Sequence, residues 1–140
     1  MSNANAARGA RWEVAVFNFL LKLFGRARVA RPHQEGYEDV GDLHLAPFAL
    51  QLKDEQKITL SSYVNDAEKQ AKAAELPFGA AVVKQRTKGV GRAYVVMSLD
   101  TFVKVVERLH RAESLLARHA PEVYHREHAP QNEPETETKP

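Results

Sequence analysis

From Arg11 to Phe24 the apolar residues recur at helical spacing, with Trp12, Val16, Phe19, Leu20 and Leu23 on one stripe. Phe17 and Phe24 widen that stripe until the segment is apolar nearly all round. The pattern therefore predicts a helix buried on more than one side, either inside the domain or with its second face against another subunit. Gly25 is its stop signal. Residues 1–9 are small and polar and are expected to fray. A short strand at Arg28–Ala30 and an exposed loop running to Val40 follow.

The period then changes from helical to alternating. Asp42-Leu-His-Leu45 and Phe48-Ala-Leu-Gln-Leu-Lys53 flank a turn at Ala46-Pro47. In the second run Phe48, Leu50 and Leu52 point one way, and Ala49, Gln51 and Lys53 the other. Two antiparallel strands are predicted. Leu60–Leu76 reads as a second helix, entered through Ser61 or Ser62 and closed by Pro77 and Gly79. Its small-residue stripe of Tyr63, Ala67, Ala71 and Ala74 suits close packing on a sheet. Ala80–Gln85 and Arg92–Met97 read as strands joined by a hairpin at Lys88-Gly89-Val90-Gly91. Ser98 then caps a third helix, about Leu99–Ala117, with Phe102, Val103, Val106, Leu109 and Leu116 inward. This order predicts a single α/β domain over residues 10–120, a mixed sheet flanked by helices. Residues 121–140 are rich in Pro, Glu, Gln and Thr and are expected to be a disordered acidic tail.

The strand pattern also arranges chemistry. With the turn centred on Ala46-Pro47, Asp42 faces Gln51 and His44 faces Ala49. Directly opposed side chains lie roughly 4.5–5.5 Å apart at Cβ. Lys53 shares the face of Gln51. Glu13 heads the stripe Glu13, Phe17, Leu20, Phe24 and is expected to point inward, where an unpartnered carboxylate is costly and a cation or donor is needed nearby. Carboxylates that hold Mg²⁺ beside a lysine are what phosphodiester hydrolysis requires. The metal neutralises phosphate charge and acidifies water, and the ammonium stabilises charge that develops in the transition state. His44 projects from the site face and Gln70 lies on the inward side of the second helix, so either could act behind the first ligands; for Gln70 a hydrogen bond to backbone is the alternative.

Charge sharpens this picture. Net charge is only +2, but residues 1–120 carry 18 basic against 13 acidic side chains, and the last 20 residues carry 2 against 5. A basic body suits a polyanion. Its cations fall into groups: Arg8 and Arg11; Arg26, Arg28 and Arg31; Lys57; and Lys84, Arg86, Lys88 and Arg92 around the glycine hairpin. These are candidate DNA-backbone contacts, which give affinity without reading sequence; the alternative is a solvated charged surface. The absence of cysteine excludes disulfides and thiolate metal sites and fits a cytoplasmic location. No apolar run is long enough to span a bilayer, so no membrane partner is expected, and no signal peptide is evident.

Glu13, Gly41-Asp42, Gln51-Leu52-Lys53, the Ser61–Ala74 helix, and Val82-Val-Lys-Gln-Arg86 with Lys88-Gly-Val-Gly-Arg-Ala-Tyr94 occur in that order. Over about Arg8–Val106 the chain resembles the PD-(D/E)xK nuclease superfamily, and within it the Holliday junction resolvases of the archaeal and bacteriophage type. The resemblance implies a restriction-endonuclease-like α/β sandwich. It further implies a homodimer that nicks four-way DNA junctions in pairs, using Mg²⁺ or Mn²⁺; in a bacteriophage, the host cytoplasm is the site of action. Glu13, Asp42, residue 51 and the Leu52 carbonyl would bind metal, and Lys53 would serve the attacking water. The chain departs from the family at Gln51, where Glu or Asp is usual. Gln51 is either natural or an engineered inactivating change. Two alternatives stand beside the resolvase reading: a cleavage-deficient junction-binding protein on the same fold, and a repair- or restriction-type nuclease acting on duplex DNA.

Overall fold

A computed structural model describes residues 2–32 and 39–129. The chain divides into two compact units, Met1–Phe102 and Val103–Pro140. The first holds α1 (Ser2–Phe24), β1 (Val29–Ala30), β2 (Leu43–Leu45), β3 (Phe48–Lys53), α2 (Leu60–Ala73), β4 (Phe78–Val83), a 3₁₀ turn at Val90–Arg92 and β5 (Tyr94–Val96). The five strands form one mixed sheet in chain order. Only the β3–β4 pair is parallel, joined through α2; the other three pairs are antiparallel. The architecture is the mixed α/β fold that the sequence order predicts.

Alternation in β3 explains the layering. Leu50 and Leu52 join Leu43, Ala80 and Val82 in a core closed by Trp12 and Val16 of α1. The indole N–H of Trp12 donates to the Val82 carbonyl at 3.3 Å, so the ring is polar-satisfied as well as buried. On the other face α2 lays Tyr63, Ala67 and Ala71 on the sheet, and Tyr63 packs with Ala81 and Val83. The predicted strand register holds: Leu43 pairs with Leu50, His44 with Ala49 and Leu45 with Phe48. The turn is Ala46-Pro47, joined by a cis peptide bond.

Several expectations need correction. Residues 2–9 do not fray but belong to α1; the run Asn-Ala-Asn-Ala-Ala-Arg is rich in the best helix former, and propensity outweighs polarity there. The outer face of α1 is exposed, with Phe19 at 41% and Leu23 at 62%, so of its two expected alternatives burial inside the domain is excluded. The N-cap of α2 is Thr59 rather than Ser61 or Ser62, and Ser62 Oγ instead donates back to the Thr59 carbonyl. That helix ends at Ala73, before Pro77, because Glu75 takes a left-handed φ of 56°. Leu76 N then donates to Ala71 O at 2.9 Å and Glu75 N to Lys72 O at 3.2 Å, which satisfies the last carbonyls. β4 starts at Phe78, earlier than expected, because the crossover from α2 is short. The glycines at 89 and 91 do not form a tight hairpin: β4 and β5 pair through Val83 and Tyr94, and the intervening segment carries the 3₁₀ turn.

The second unit continues α3 (Leu99–His119), which starts in the first, and adds α4 (Pro121–His128). Ser98 Oγ accepts the Thr101 N–H at 3.1 Å, the predicted cap. The expected inward face of α3 is not buried: Phe102, Val103 and Leu109 are exposed, and Val106 and Leu116 are only half-buried. The expected disordered tail is helical over residues 121–128, started by Pro121 in the first turn, where a missing N–H costs nothing. Tyr124 stacks on His128 there. The rest of the tail, and the loop at 33–38, lie outside the described residues. Among the described residues no helix is long and apolar enough to cross a membrane.

Candidate active site

Asp42 stands just before β2, where the sheet's antiparallel pairing to β3 runs out. Gly41 makes the approach with φ +96°, a conformation that disfavours any side chain. A Cβ there would also lie 3.4 Å from the Leu50 carbonyl. Asp42 N donates to Leu50 O at 3.0 Å, and Asp42 Oδ2 accepts the Leu52 N–H at 2.8 Å. The carboxylate is thus pinned across β3, level with the Gln51-Leu52-Lys53 segment. That leaves Oδ1 as the oxygen with freedom to take another partner.

Gln51 lies on the α2 face of β3 and is only 8% exposed, and its Oε1 has no hydrogen-bond partner. Lys53, at the end of the strand, holds its ammonium 3.8 Å from Glu55 Oε1 and 5.4 Å from the centre of the Tyr63 ring. The Tyr63 hydroxyl donates in turn to Glu55 Oε2. Burial pushes the Tyr63 hydroxyl above its ordinary pKa, and Glu55 adds to that, so it remains a donor at neutral pH. Glu55 and Tyr63 are therefore functional neighbours that motif reading missed. Glu55 had a signal, since it continues the odd-numbered face of β3 beyond Lys53.

Glu13 projects from α1 toward the same place. Arg31 Nη2 lies 3.5 Å from Glu13 Oε2, and the Arg31 guanidinium sits over the Phe17 ring at 5.6 Å. Burial raises the Glu13 pKa and repulsion from Asp42 raises it further, against the pull of Arg31. Asp42 is raised chiefly by burial and secondly by Asp39, while the Leu52 N–H, Lys53 and Arg31 act the other way. The folded-state values of both acids therefore stand above their unfolded ones. Their contribution to stability is full below the ordinary carboxylate range and is lost as pH rises through the raised values. Metal-free protein should thus lose stability as pH rises above the ordinary carboxylate range. Asp42→Asn, which keeps an oxygen for the Leu52 N–H, should flatten that slope and raise the neutral-pH melting temperature by a few degrees. An unchanged slope in melts recorded across pH would show that Asp42 is not under this strain.

These residues fit a hard divalent cation. Among the described residues no three His, Cys, Asp or Glu side chains converge, so a cation here would need a mixed donor set, for which Glu13, Asp42 and the amide oxygen of Gln51 are the candidates. The unpartnered Gln51 Oε1 is the telling atom, because a buried acceptor without a donor costs about 1–3 kcal/mol and a cation satisfies it. The remaining predicted residues sort by position. His44 Nε2 lies 2.6 Å from the Val40 carbonyl, so it braces the loop that carries Asp42. Gln70, 3% exposed, donates from Nε2 to Asp39 Oδ2 at 2.7 Å.

The basic groups are sorted by the fold as well. Arg8, Arg11, Lys84, Arg86 and Lys88 line one groove of about 460 Å³ beside Trp12. Arg8 and Asp54 also line the adjoining hollow of about 500 Å³, with Lys53 and Lys57. A cationic track thus leads to Lys53. Asp54, its side chain 3% exposed, holds Lys84 at 3.7 Å and Arg86 at 3.5 Å. Arg26, Arg28 and Arg92 are exposed and line neither hollow, and Arg31 is turned to Glu13. No protein-family model, curated protein or solved structure matches this chain.

Proposed function

We propose that this protein is a metal-dependent endodeoxyribonuclease that resolves four-way DNA junctions by paired phosphodiester nicks. The observation that carries the reading is the Asp42 carboxylate fixed on the Leu52 N–H, with Lys53 on the next residue and a cationic groove leading to it. Glu13, Asp42, Gln51 and the Leu52 carbonyl would hold Mg²⁺ or Mn²⁺, which when bound neutralises the phosphate and acidifies a water. Lys53 donates N–H to the charge that develops on phosphate oxygen, and Glu55 and Tyr63 keep its ammonium from swinging into solvent. Arg8, Arg11, Lys57 and Lys88 position the backbone.

A paired nick needs two sites, so the active form is proposed to be a homodimer. Its support is an apolar groove of about 280 Å³ between α1 and the sheet, lined by Phe19, Leu20, Phe48 and Val95 among others. A monomeric mass by light scattering at micromolar concentration would count against the dimer.

The deciding assay offers a labelled four-way junction with Mg²⁺ or Mn²⁺ to this chain and to its Gln51→Glu form. Symmetric nicks are expected, faster with glutamate. If neither form cuts, the nuclease reading fails, and tight junction binding without cutting would establish the second reading, a binding protein that Gln51 has disarmed. Equal cutting of linear duplex in competition would instead favour a duplex nuclease. Binding has its own expectation. Arg11→Ala with Lys88→Ala should weaken DNA affinity across sequences and lower the salt dependence of log K by about 2, one for each lost phosphate contact. A slope unchanged by the pair would remove the groove from the interface.

A further inference from the structure

Gln70 has one unmet need, and its surroundings specify what can meet it. Its Nε2 is committed to Asp39 Oδ2 at 2.7 Å, and Asp39 is itself held by the Gly41 N–H on Oδ1 at 3.0 Å. An amide carries its oxygen and nitrogen on opposite arms, so this bond turns Oε1 away from Asp39 and toward Gly41. Oε1 lies 3.6 Å from where a Cβ at position 41 would sit, one residue from Asp42. There it is buried and meets no donor. Gln51 stands on β3 between Leu50, whose carbonyl accepts the Asp42 N–H, and Leu52, whose N–H binds Asp42 Oδ2, and among the described residues its Oε1 is the other buried side-chain acceptor without a partner. Two orphan amide oxygens thus belong to residues that adjoin the Gly41-Asp42 segment, Gln70 from α2 and Gln51 from β3.

We propose that Gln70 Oε1 is a further oxygen donor to the divalent-cation site at Asp42, and that Asp39 is the positioning residue that turns it there. This rests on the metal-dependent reading given above. Amide oxygens are ordinary ligands of hard cations. A neutral one adds a donor without adding to the repulsion that Glu13 and Asp42 already feel from each other. Asp39 contributes from one shell out. Its charge-assisted bond to Nε2 fixes the amide orientation and increases the electron density on Oε1. It thereby returns to the site part of the negative charge that Gln51, standing where an acid is usual, does not supply. Asp39 and Gln70 also wall a polar depression of about 400 Å³ together with Asp66 and Lys69.

The test reads metal binding without DNA or cleavage. Mn²⁺ affinity is measured by calorimetry, and the Mn²⁺-induced rise in melting temperature is followed in parallel, for the full chain and for Asp42→Asn, Gln70→Leu and Asp39→Asn. Asp42→Asn should abolish binding. Gln70→Leu should weaken Mn²⁺ binding about ten- to hundredfold; the Mn²⁺-induced rise is read against each variant's own metal-free melt, which takes up the loss of the Nε2–Asp39 bond. Asp39→Asn should weaken it in the same direction, by less. If the parent binds Mn²⁺ through Asp42 and Gln70→Leu binds it equally well, Gln70 is only a structural partner of Asp39: this inference falls and the nuclease reading stands. If Gln70→Leu does not fold, Asp39→Asn, at an exposed residue, decides by the same criterion. If the parent takes up no Mn²⁺ at millimolar concentration, the inference and the metal-dependent reading fall together.

Discussion

Gly79→Ala should destabilise the protein by about 3–5 kcal/mol, a large share of what a small domain has. The cause is backbone meeting backbone. A Cβ at position 79 would sit 2.1 Å from the Ala67 carbonyl oxygen, 2.5 Å from its carbon and 2.9 Å from Glu68 N. None of these atoms can swing aside, because Ala67 lies in the middle of α2 and is fully buried against the sheet. Relief requires α2 to lift from β4. The same helix carries Tyr63 to Lys53 and Gln70 to Asp39, so whatever molecules still fold should also lose the site. Gly91→Ala is the internal control. Its Cβ would meet only the ring edge of Phe19 at 3.3 Å, a half-exposed side chain that can shift, and it should cost roughly 1 kcal/mol or less. Urea denaturation of the two variants checks the contrast. A Gly79→Ala protein that unfolds with the parent would mean that α2 does not pack on β4 this closely.

What the sequence discloses of this site depends on how local the cause is. The register of β2 on β3 was legible because strand alternation and a two-residue turn at Ala46-Pro47 together determine it, and it is found from Leu43–Leu50 to Leu45–Phe48. Before β2 the pairing departs from it: Asp42 N donates to Leu50 O, so Asp42 is set against Leu50 and Leu52 rather than squarely opposite Gln51. The faces of β3 were legible for the same reason. Asp39 was not, since nothing in the run from Asp39 to Asp42 says that Gln70, thirty-one residues on, will reach back to it. Tyr63 was visible as the one bulky member of a small-residue stripe, but its partner Glu55 is fixed only once α2 crosses the strand end. Arg31 was grouped with phosphate contacts by charge alone, and the fold gives it to Glu13. The apolar stripe of α3 was correctly periodic and wrongly assigned inward. Amphipathicity says that a face seeks cover and does not say which surface supplies it. The N-terminal extension of α1 was missed because small polar composition was weighed above the helix propensity of its alanines.

Gln51→Glu is expected to move two properties in opposite directions. The position is 8% exposed, on β3 between Leu50 and Leu52, the two residues that bond Asp42, so a carboxylate there is desolvated and stands near a like charge. Both effects raise its folded-state pKa above the unfolded value. The sign follows: its contribution is unimpaired at low pH, and stability is lost as pH rises through the raised value. At neutral pH the metal-free variant should be less stable than this chain by about 1–3 kcal/mol, the usual cost of an uncompensated buried polar or charged group. With a divalent cation the order reverses, because one more negative ligand lies next to Asp42. Mn²⁺ affinity should rise tenfold or more, which is at least about 1.4 kcal/mol, and junction cleavage should accelerate with it. The shape of residue 51 hardly changes, so the experiment isolates charge. Melting curves with and without Mn²⁺ at pH 5 and pH 8 separate the outcomes. If the variant is as stable as the parent at pH 8 without metal and gains no extra stability from Mn²⁺, residue 51 does not face the cation. The carboxylates at Glu13 and Asp42 would then have to hold it without help from β3.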